Sequence, residues 1–143
     1  MRKRVLMLVL AALTAAALLG GCGLKETDVP YAGDMAENLL QGLSQNDYAA
    51  FSRDFSDTMK SAIDEDAFAT MVDQFSTTIG TYESKSFYQA ANTTQNDVDY
   101  TVVVYKAKFS EEDEVLVTVT FSGDEGSEVV DGLFFNSPKL RGE

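Results

Sequence analysis

The fold is decided by residues 98–121, VDYTVVVYKAKFSEEDEVLVTVTF. The runs 98–109 and 114–121 are rich in β-branched and aromatic residues, and the polar segment 110–113 separates them. This arrangement predicts two antiparallel strands joined by a turn. In the second run, valines alternate with Leu116 and two threonines, which is the two-residue period of a strand.

Two further strands are predicted on either side of this pair. The run Tyr82–Ala91 favours a strand, and the polar segment Asn92–Asp97 favours the turn that follows it. A last strand is predicted over Glu128–Phe135 after a glycine-rich turn, with Gly132 at a bulge or at a close approach of the backbone. The four strands are joined by short turns, so they should form an antiparallel meander.

The preceding residues, 30–80, have helical periodicity instead. Apolar residues recur at spacings of three and four after Pro30, which suits the first turn of a helix. A second, shorter helix should carry Tyr48, Phe51 and Phe55, and a later helix should begin near Asp64 and stop at Gly80. Helices followed by strands predict an α+β fold, with N-terminal helices packed on a curved four-stranded antiparallel sheet.

The N-terminus has the pattern of an export signal. Arg2-Lys3-Arg4 precedes the apolar run 5–19, which would rise only ~22 Å as a helix and so falls short of the ~30 Å hydrocarbon core. The run ends in Leu19-Gly20-Gly21-Cys22, which resembles the lipobox of bacterial lipoproteins. The resemblance implies a signal peptide over 1–21, cleavage between Gly21 and Cys22, and a diacylglyceryl group on the Cys22 thiol.

The predicted lipid on Cys22 indicates where the protein is located and how its chain is divided. A diacylglyceryl-cysteine has at least two acyl chains, which are enough for stable anchoring. We therefore expect the protein at the cell membrane, facing the extracytoplasmic side. Residues 22–29 are expected to be the lipidated cysteine and a short tether, and residues 30–143 the single domain.

Composition excludes several classes of function. The chain has 11 basic and 23 acidic residues, and after the signal segment the balance is 8 to 23, a net charge of −15. Such a charge is repelled by nucleic-acid phosphates. The chain has no histidine and one cysteine, so catalysis by histidine and an internal disulfide are both excluded. The acidic runs lack the ligand spacing of a calcium loop, and we expect no metal, no cofactor and no catalytic residue.

Aromatic residues on the strands are the candidate ligand contacts: Tyr88, Tyr100, Tyr105 and Phe134. The strand 98–109 is apolar on both faces, and the helices can cover only one of them. The other face is expected either to pair with a second copy, giving a homodimer, or to curve into a ligand cavity. The dimer is slightly favoured, with Tyr105 on the free face.

Three segments carry a family resemblance. They are Asn46–Phe51 with Asp54–Asp57, then Phe75–Gly80, and finally Val130–Phe135. Together they resemble the family of domain of unknown function 3887, within the nuclear transport factor 2-like (cystatin-like) superfamily, over residues 30–138. The resemblance implies a curved sheet around a helical layer with a cone-shaped pocket. It implies no catalytic residue, and it makes dimerisation through the sheet face common.

The expected function is a membrane-anchored, non-catalytic module that binds a small molecule or an envelope protein. Two alternatives stay open. One is an enzyme that uses aspartate and tyrosine residues of the pocket, and the other is a structural envelope protein that associates with itself.

Overall fold

A computed structural model describes residues 23–142 of the chain. The predicted signal peptide, its cleavage site at Gly21 and the lipidation site at Cys22 lie outside the described residues. Within residues 23–142, no helix has both the length and the apolar character needed to cross a bilayer.

In this part of the chain, four helices precede four strands. A short 3-10 turn, Glu26–Asp28, leads into the helices. The elements after it are, in chain order, α1 Pro30–Ser44, α2 Tyr48–Phe51, α3 Asp57–Ala62, α4 Glu65–Thr78, β1 Tyr82–Gln95, β2 Val98–Phe109, β3 Glu112–Ser122 and β4 Val129–Asn136. The strands form one antiparallel sheet in the order β1-β2-β3-β4. The α+β fold with helices on one side of a curved sheet is thereby confirmed.

Side-chain caps set the starts of the three later helices. The side chains of Asp47, Ser56 and Asp64 accept hydrogen bonds from backbone N–H groups three residues ahead. Each bond satisfies a donor that the first turn of a helix leaves free. After α4, Gly80 has a φ of +82°, the left-handed conformation that ends many helices.

The core lies between the helices and one face of the sheet. Leu39 and Leu40 of α1 are buried, as is Phe75 of α4. The sheet contributes alternate residues of β2 and β3, all with at most 1% of their surface exposed: Val103, Tyr105, Ala107, Phe109, Val115, Val117, Val119 and Phe121. We call this the inner face. The opposite face, which includes Val104 and Thr118, is the outer face.

Phe55 does not continue the second helix. α2 ends at Phe51, and Phe55 makes a parallel bridge with Val130 of β4. The N–H of Ser56 donates to the Val130 carbonyl at 2.9 Å, and the N–H of Val130 donates to the Asp54 carbonyl at 2.7 Å. The spacing of the aromatic residues is helical here, but these backbone bonds to the sheet edge fix an extended conformation.

The structure shortens the predicted turn after β1 and places the predicted bulge of β4 beside Gly132. β1 continues to Gln95, so Asn92–Gln95 is strand and the turn is only Asn96-Asp97, with φ values of +50° and +63°. Two residues of positive φ match the twist of a hairpin, and Asn and Asp tolerate that conformation. In β4 the irregularity falls between Val130 and Gly132, so Asp131 is the additional residue of the bulge.

Residues 24–29 were expected to be a tether, and both ends of this segment are attached to the rest of the structure. The N–H of Leu24 donates to the carbonyl oxygen of Ala90 in β1 at 2.8 Å. The Lys25 N–H donates to the Asp28 carboxylate at 2.8 Å, and Val29 is only 3% exposed. The segment before Pro30 is thus bonded to β1 at its start and buried at its end.

Candidate functional site

A cleft of about 490 Å³ opens at one end of the sheet, beside the first turn of α1. Its walls come from the hairpin β1–β2, from the end of β3 with the loop that follows, and from α1. Polar side chains on these walls include Tyr31, Asn92, Thr94, Asp99, Thr101 and Glu128. The volume of the cleft lies within the range of small-molecule sites, about 300–1,000 Å³.

The β1–β2 register places four polar residues of the cleft in two facing pairs. Asn92 lies opposite Thr101, and Thr94 lies opposite Asp99. The Thr101 hydroxyl donates to the Asn92 side-chain oxygen at 2.9 Å, and the Thr94 hydroxyl donates to the Asp99 carboxylate at 2.7 Å. By strand alternation these pairs share the inner face with Val103 and Tyr105. The inner face is therefore apolar at Val103 and Tyr105 and becomes polar towards the turn between β1 and β2.

Tyr31 forms the helical wall of the cleft. Its ring meets the ring of Phe121 edge to face, with the centroids 5.1 Å apart. The Thr101 side chain lies near the Tyr31 hydroxyl. Burial raises the pKa of the Tyr31 hydroxyl, and the negative charge of Glu128 adds to this, although the nearby Thr101 side chain opposes it. Tyr31 is therefore held as a neutral hydroxyl that can hydrogen-bond a ligand.

The cleft has acidic and neutral groups on its walls. Asp99 and Glu128 carry the carboxylates, and the Glu128 carboxylate also accepts the N–H of Gly126 at 2.8 Å. Among residues 23–142, no lysine or arginine lines the cleft. A bound anion would meet two like charges and no counter-charge, whereas a neutral or cationic molecule with hydrogen-bond donors would find acceptors.

The family model described as "Protein of unknown function (DUF3887)" matches residues 36–130. The chain belongs to this family. The match contains the β1–β2 residues of the cleft and Glu128, but it begins after Tyr31. A search of curated proteins found no match to the chain.

The predicted ligand residues of this DUF3887 protein do not lie together. Tyr100 lines the cleft. Tyr88 is 49% exposed, and the Lys106 ammonium lies 4.5 Å from its ring centroid. Phe134 lies half-buried on the outer face, opposite Thr118. Tyr105 is 1% exposed on the inner face, so its assignment to the free face was wrong.

Most residues of the cleft are absent from the predicted ligand contacts, because they are polar and the aromatic residues of the strands stand out more in the sequence. Tyr31 falls within a helical pattern, and Asn92 and Thr94 fall within a predicted turn. The signal that could have found them is Asn96-Asp97, a pair that favours a two-residue hairpin turn. A two-residue turn at this position fixes the register of β1 and β2, which places Asn92 opposite Thr101 and Thr94 opposite Asp99.

A second polar cluster lies further along the inner face. The Tyr82 hydroxyl donates to the Glu37 carboxylate at 2.5 Å, and the Lys85 ammonium lies 3.4 Å from the same oxygen. Burial tends to raise the pKa of Glu37, but the hydrogen bond from Tyr82, another from Gln41, and Lys85 together lower it. The charges of Glu37 and Lys85 are paired, so the cluster links α1 to β1.

Tyr105 lies beside this cluster. The Lys85 ammonium is 5.1 Å from the centroid of its ring. Its hydroxyl is buried and has no hydrogen-bond partner within the described part of the chain. Burial, followed by the negative charges of Glu26 and Asp34, raises the pKa of Tyr105 to about 12. Tyr105 is thus a neutral core residue with an unsatisfied hydroxyl.

Proposed function

We propose that the protein is an extracytoplasmic lipoprotein, anchored to the cell membrane through Cys22, whose domain binds a small ligand in the cleft without catalysing a reaction on it. The architecture also supports a place in the nuclear transport factor 2-like superfamily, since a helical layer on a curved sheet leaves a cleft at one end. The observation that carries the binding function is the presence of two facing pairs of polar side chains, Asn92–Thr101 and Thr94–Asp99.

The cleft has the features of a binding site rather than of a packing defect. Its polar groups converge from β1, β2 and α1, and Thr101 bonds Asn92 and lies near Tyr31. Groups held in this way are already oriented before a ligand arrives, which reduces the entropy cost of binding. The acidic walls favour a neutral or cationic ligand.

Native mass spectrometry of the protein extracted from bacterial membranes tests this function. We expect a bound small molecule on the wild type, and we expect Thr101→Val to lose it, because that change removes a hydroxyl that lines the cleft and bonds Asn92. Thr118→Val is the matched control, since Thr118 lies on the outer face. Loss in both variants, or retention in both, would argue against the cleft as the binding site.

The anchor rests on Leu19-Gly20-Gly21-Cys22 after the apolar run. With Cys22→Ala, we expect an unlipidated precursor that keeps its signal segment. Metabolic labelling with a fatty acid should mark the wild type and not the variant. Equal labelling of the two proteins would refute the lipoprotein assignment.

A homodimer through the outer face is a second proposal. Val104 and Phe134 lie there, and the helices pack on the other side of the sheet. If a second copy covers this face, Val104→Glu should shift the protein from dimer to monomer in sedimentation, because an unpaired buried carboxylate costs several kcal/mol. Tyr105→Glu cannot serve as this test, because Tyr105 lies in the core.

A further inference from the structure

We infer that the cleft binds the uncharged, hydroxyl-rich head group of a membrane lipid, a glycosylated diacylglycerol without phosphate, at the bilayer surface. This inference rests on the proposed lipid anchor at Cys22. It extends the proposed function, because it names the class of ligand and the place where the ligand is met.

The anchor has a short reach. The Leu24 N–H is bonded to the Ala90 carbonyl, so the chain is fixed to β1 only two residues after Cys22. Two residues span at most about 7 Å. The expected seven-residue tether is thus reduced to Gly23 alone, and β1 cannot move far from the lipid.

The cleft lies close to that fixed point. Asn92 follows Ala90 by two residues on the same strand, which is about 7 Å at the rise of a strand. Asn92 therefore lies within about 20 Å of Cys22, even when the chain is fully extended. Thr94 lies about 7 Å further along β1.

The anchored segment itself leads into the cleft. Residues 24–29 run from β1 to the start of α1, and Tyr31 in the first turn of α1 is a wall of the cleft. The segment is held at both ends, since Leu24 is bonded to Ala90 and Val29 is buried. The same stretch of chain therefore connects the lipid to the binding site and keeps the two close together.

The chemistry of the cleft selects among lipid head groups. Phospholipids present a phosphate, which would meet the carboxylates of Asp99 and Glu128. A sugar instead offers neutral hydroxyls, and these can donate to the two carboxylates and exchange hydrogen bonds with Thr101 and Tyr31. Because the cleft and the lipid share one surface, even weak contacts act at a high effective concentration.

Hydrogen exchange on the full lipidated protein in phosphatidylcholine vesicles tests the inference. Adding diglucosyl-diacylglycerol to the vesicles should slow exchange of the amides in residues 92–101 several-fold, whereas adding phosphatidylglycerol should leave them unchanged. Methyl glucoside free in solution should reach the same protection only at roughly 100-fold higher concentration, because it lacks the gain from sharing a surface.

Three variants locate the effect. A flexible Gly/Ser insertion between Cys22 and Gly23 keeps the lipid but allows the cleft to move away from the bilayer surface. It should therefore reduce the slowing of amide exchange that the glycolipid causes. Thr101→Val should abolish the protection, and the control Thr118→Val should keep it. Equal protection by phosphatidylglycerol, equal potency of free methyl glucoside, or no protection by the glycolipid would overturn the inference.

The proposed function fails in a different way. If fatty-acid labelling marks the wild type no more than it marks Cys22→Ala, the anchor is refuted. If the protein stays bound, loses a co-purified ligand through Thr101→Val and yet shows no protection by the glycolipid, the proposed function stands and only the lipid head group is refuted.

Discussion

The backbone N–H of Leu24 donates a hydrogen bond to the carbonyl oxygen of Ala90 at 2.8 Å, which joins the N-terminal segment to the edge of the sheet. β1 is an edge strand, so without this segment part of its backbone would face solvent. The bond attaches the segment 24–29 to the sheet and, under the proposed lipidation of Cys22, limits how far the cleft can lie from the lipid.

Leu24→Pro should weaken this attachment, because proline has no N–H to donate. We expect the free energy of unfolding to fall by about 0.5–1.5 kcal/mol, the usual contribution of one hydrogen bond. Urea unfolding measures this loss of stability. Lys25→Ala is the control, because it keeps the hydrogen bond from the Lys25 backbone N–H to the Asp28 carboxylate. An unchanged stability in Leu24→Pro would mean that the segment is not attached in solution.

Tyr105 and Tyr82 differ in whether their hydroxyls are bonded, and Phe substitutions should separate them. Tyr105→Phe removes a buried hydroxyl without a partner in the described chain, so stability should stay the same or rise by about 1 kcal/mol. Tyr82→Phe removes the bond to the Glu37 carboxylate and should cost about 1–2 kcal/mol. The opposite order in urea unfolding would contradict the assigned environments.

The two tyrosines also predict an alkaline transition. The pKa of Tyr105 in the folded protein is raised to about 12 from its ordinary value of 10, because burial disfavours the phenolate. A raised pKa means that the folded state binds more protons than the unfolded state above pH 10, so stability is fully present below pH 10 and falls as the pH rises towards 12. Tyr105→Phe should show a smaller fall over this range, although Tyr82, whose pKa is also raised, still contributes.

Phe75→Ala should be among the most damaging single changes. The Phe75 ring meets the Phe135 ring edge to face, with the ring centroids 4.8 Å apart, and its centroid lies 6.5 Å from that of Phe109. Phe75 therefore links α4 to the sheet. Truncation should cost about 3–5 kcal/mol of unfolding free energy. The control Tyr88→Ala, at a half-exposed ring, should cost less than about 1 kcal/mol. Similar melting temperatures for the two variants would place Phe75 outside the core.

Gly80 and Gly126 provide a matched pair for backbone strain. Their φ values are +82° and +86°, so alanine is strained at both, at about 1–2 kcal/mol. A Cβ at Gly80 would also overlap the Ser110 hydroxyl, whereas at Gly126 no atom of the described residues lies within 4 Å. Gly80→Ala should therefore be the less stable variant in thermal unfolding. Equal losses would show that the Ser110 side chain moves aside without cost.

Much of the fold could be predicted because local patterns and tertiary packing agree. The bounds of β2 follow from its β-branched run, and the start of α4 follows from Asp64, whose side chain caps it. Phe55 shows the limit, because its spacing is helical but backbone bonds to β4 determine its conformation. Periodicity describes one segment at a time and cannot show which distant strand edge will bind it.

The cleft was harder to predict than the fold for a similar reason. Asn92, Asp99 and Thr101 are ordinary surface residues in the sequence, and they form a site only after the turn at Asn96 fixes which residues face each other. Tyr31 reaches the same place from α1, about 60 residues earlier in the chain. A site assembled by register and helix packing has no local motif.

If a lipid on Cys22 holds a ligand-binding domain at the membrane, the intact mass of the chain extracted from bacterial membranes is the most direct test. We expect a chain that begins at Cys22, is heavier than residues 22–143 by at least a diacylglyceryl group, and has no free thiol. A full-length chain of 143 residues with a reactive Cys22 thiol would contradict the lipid anchor.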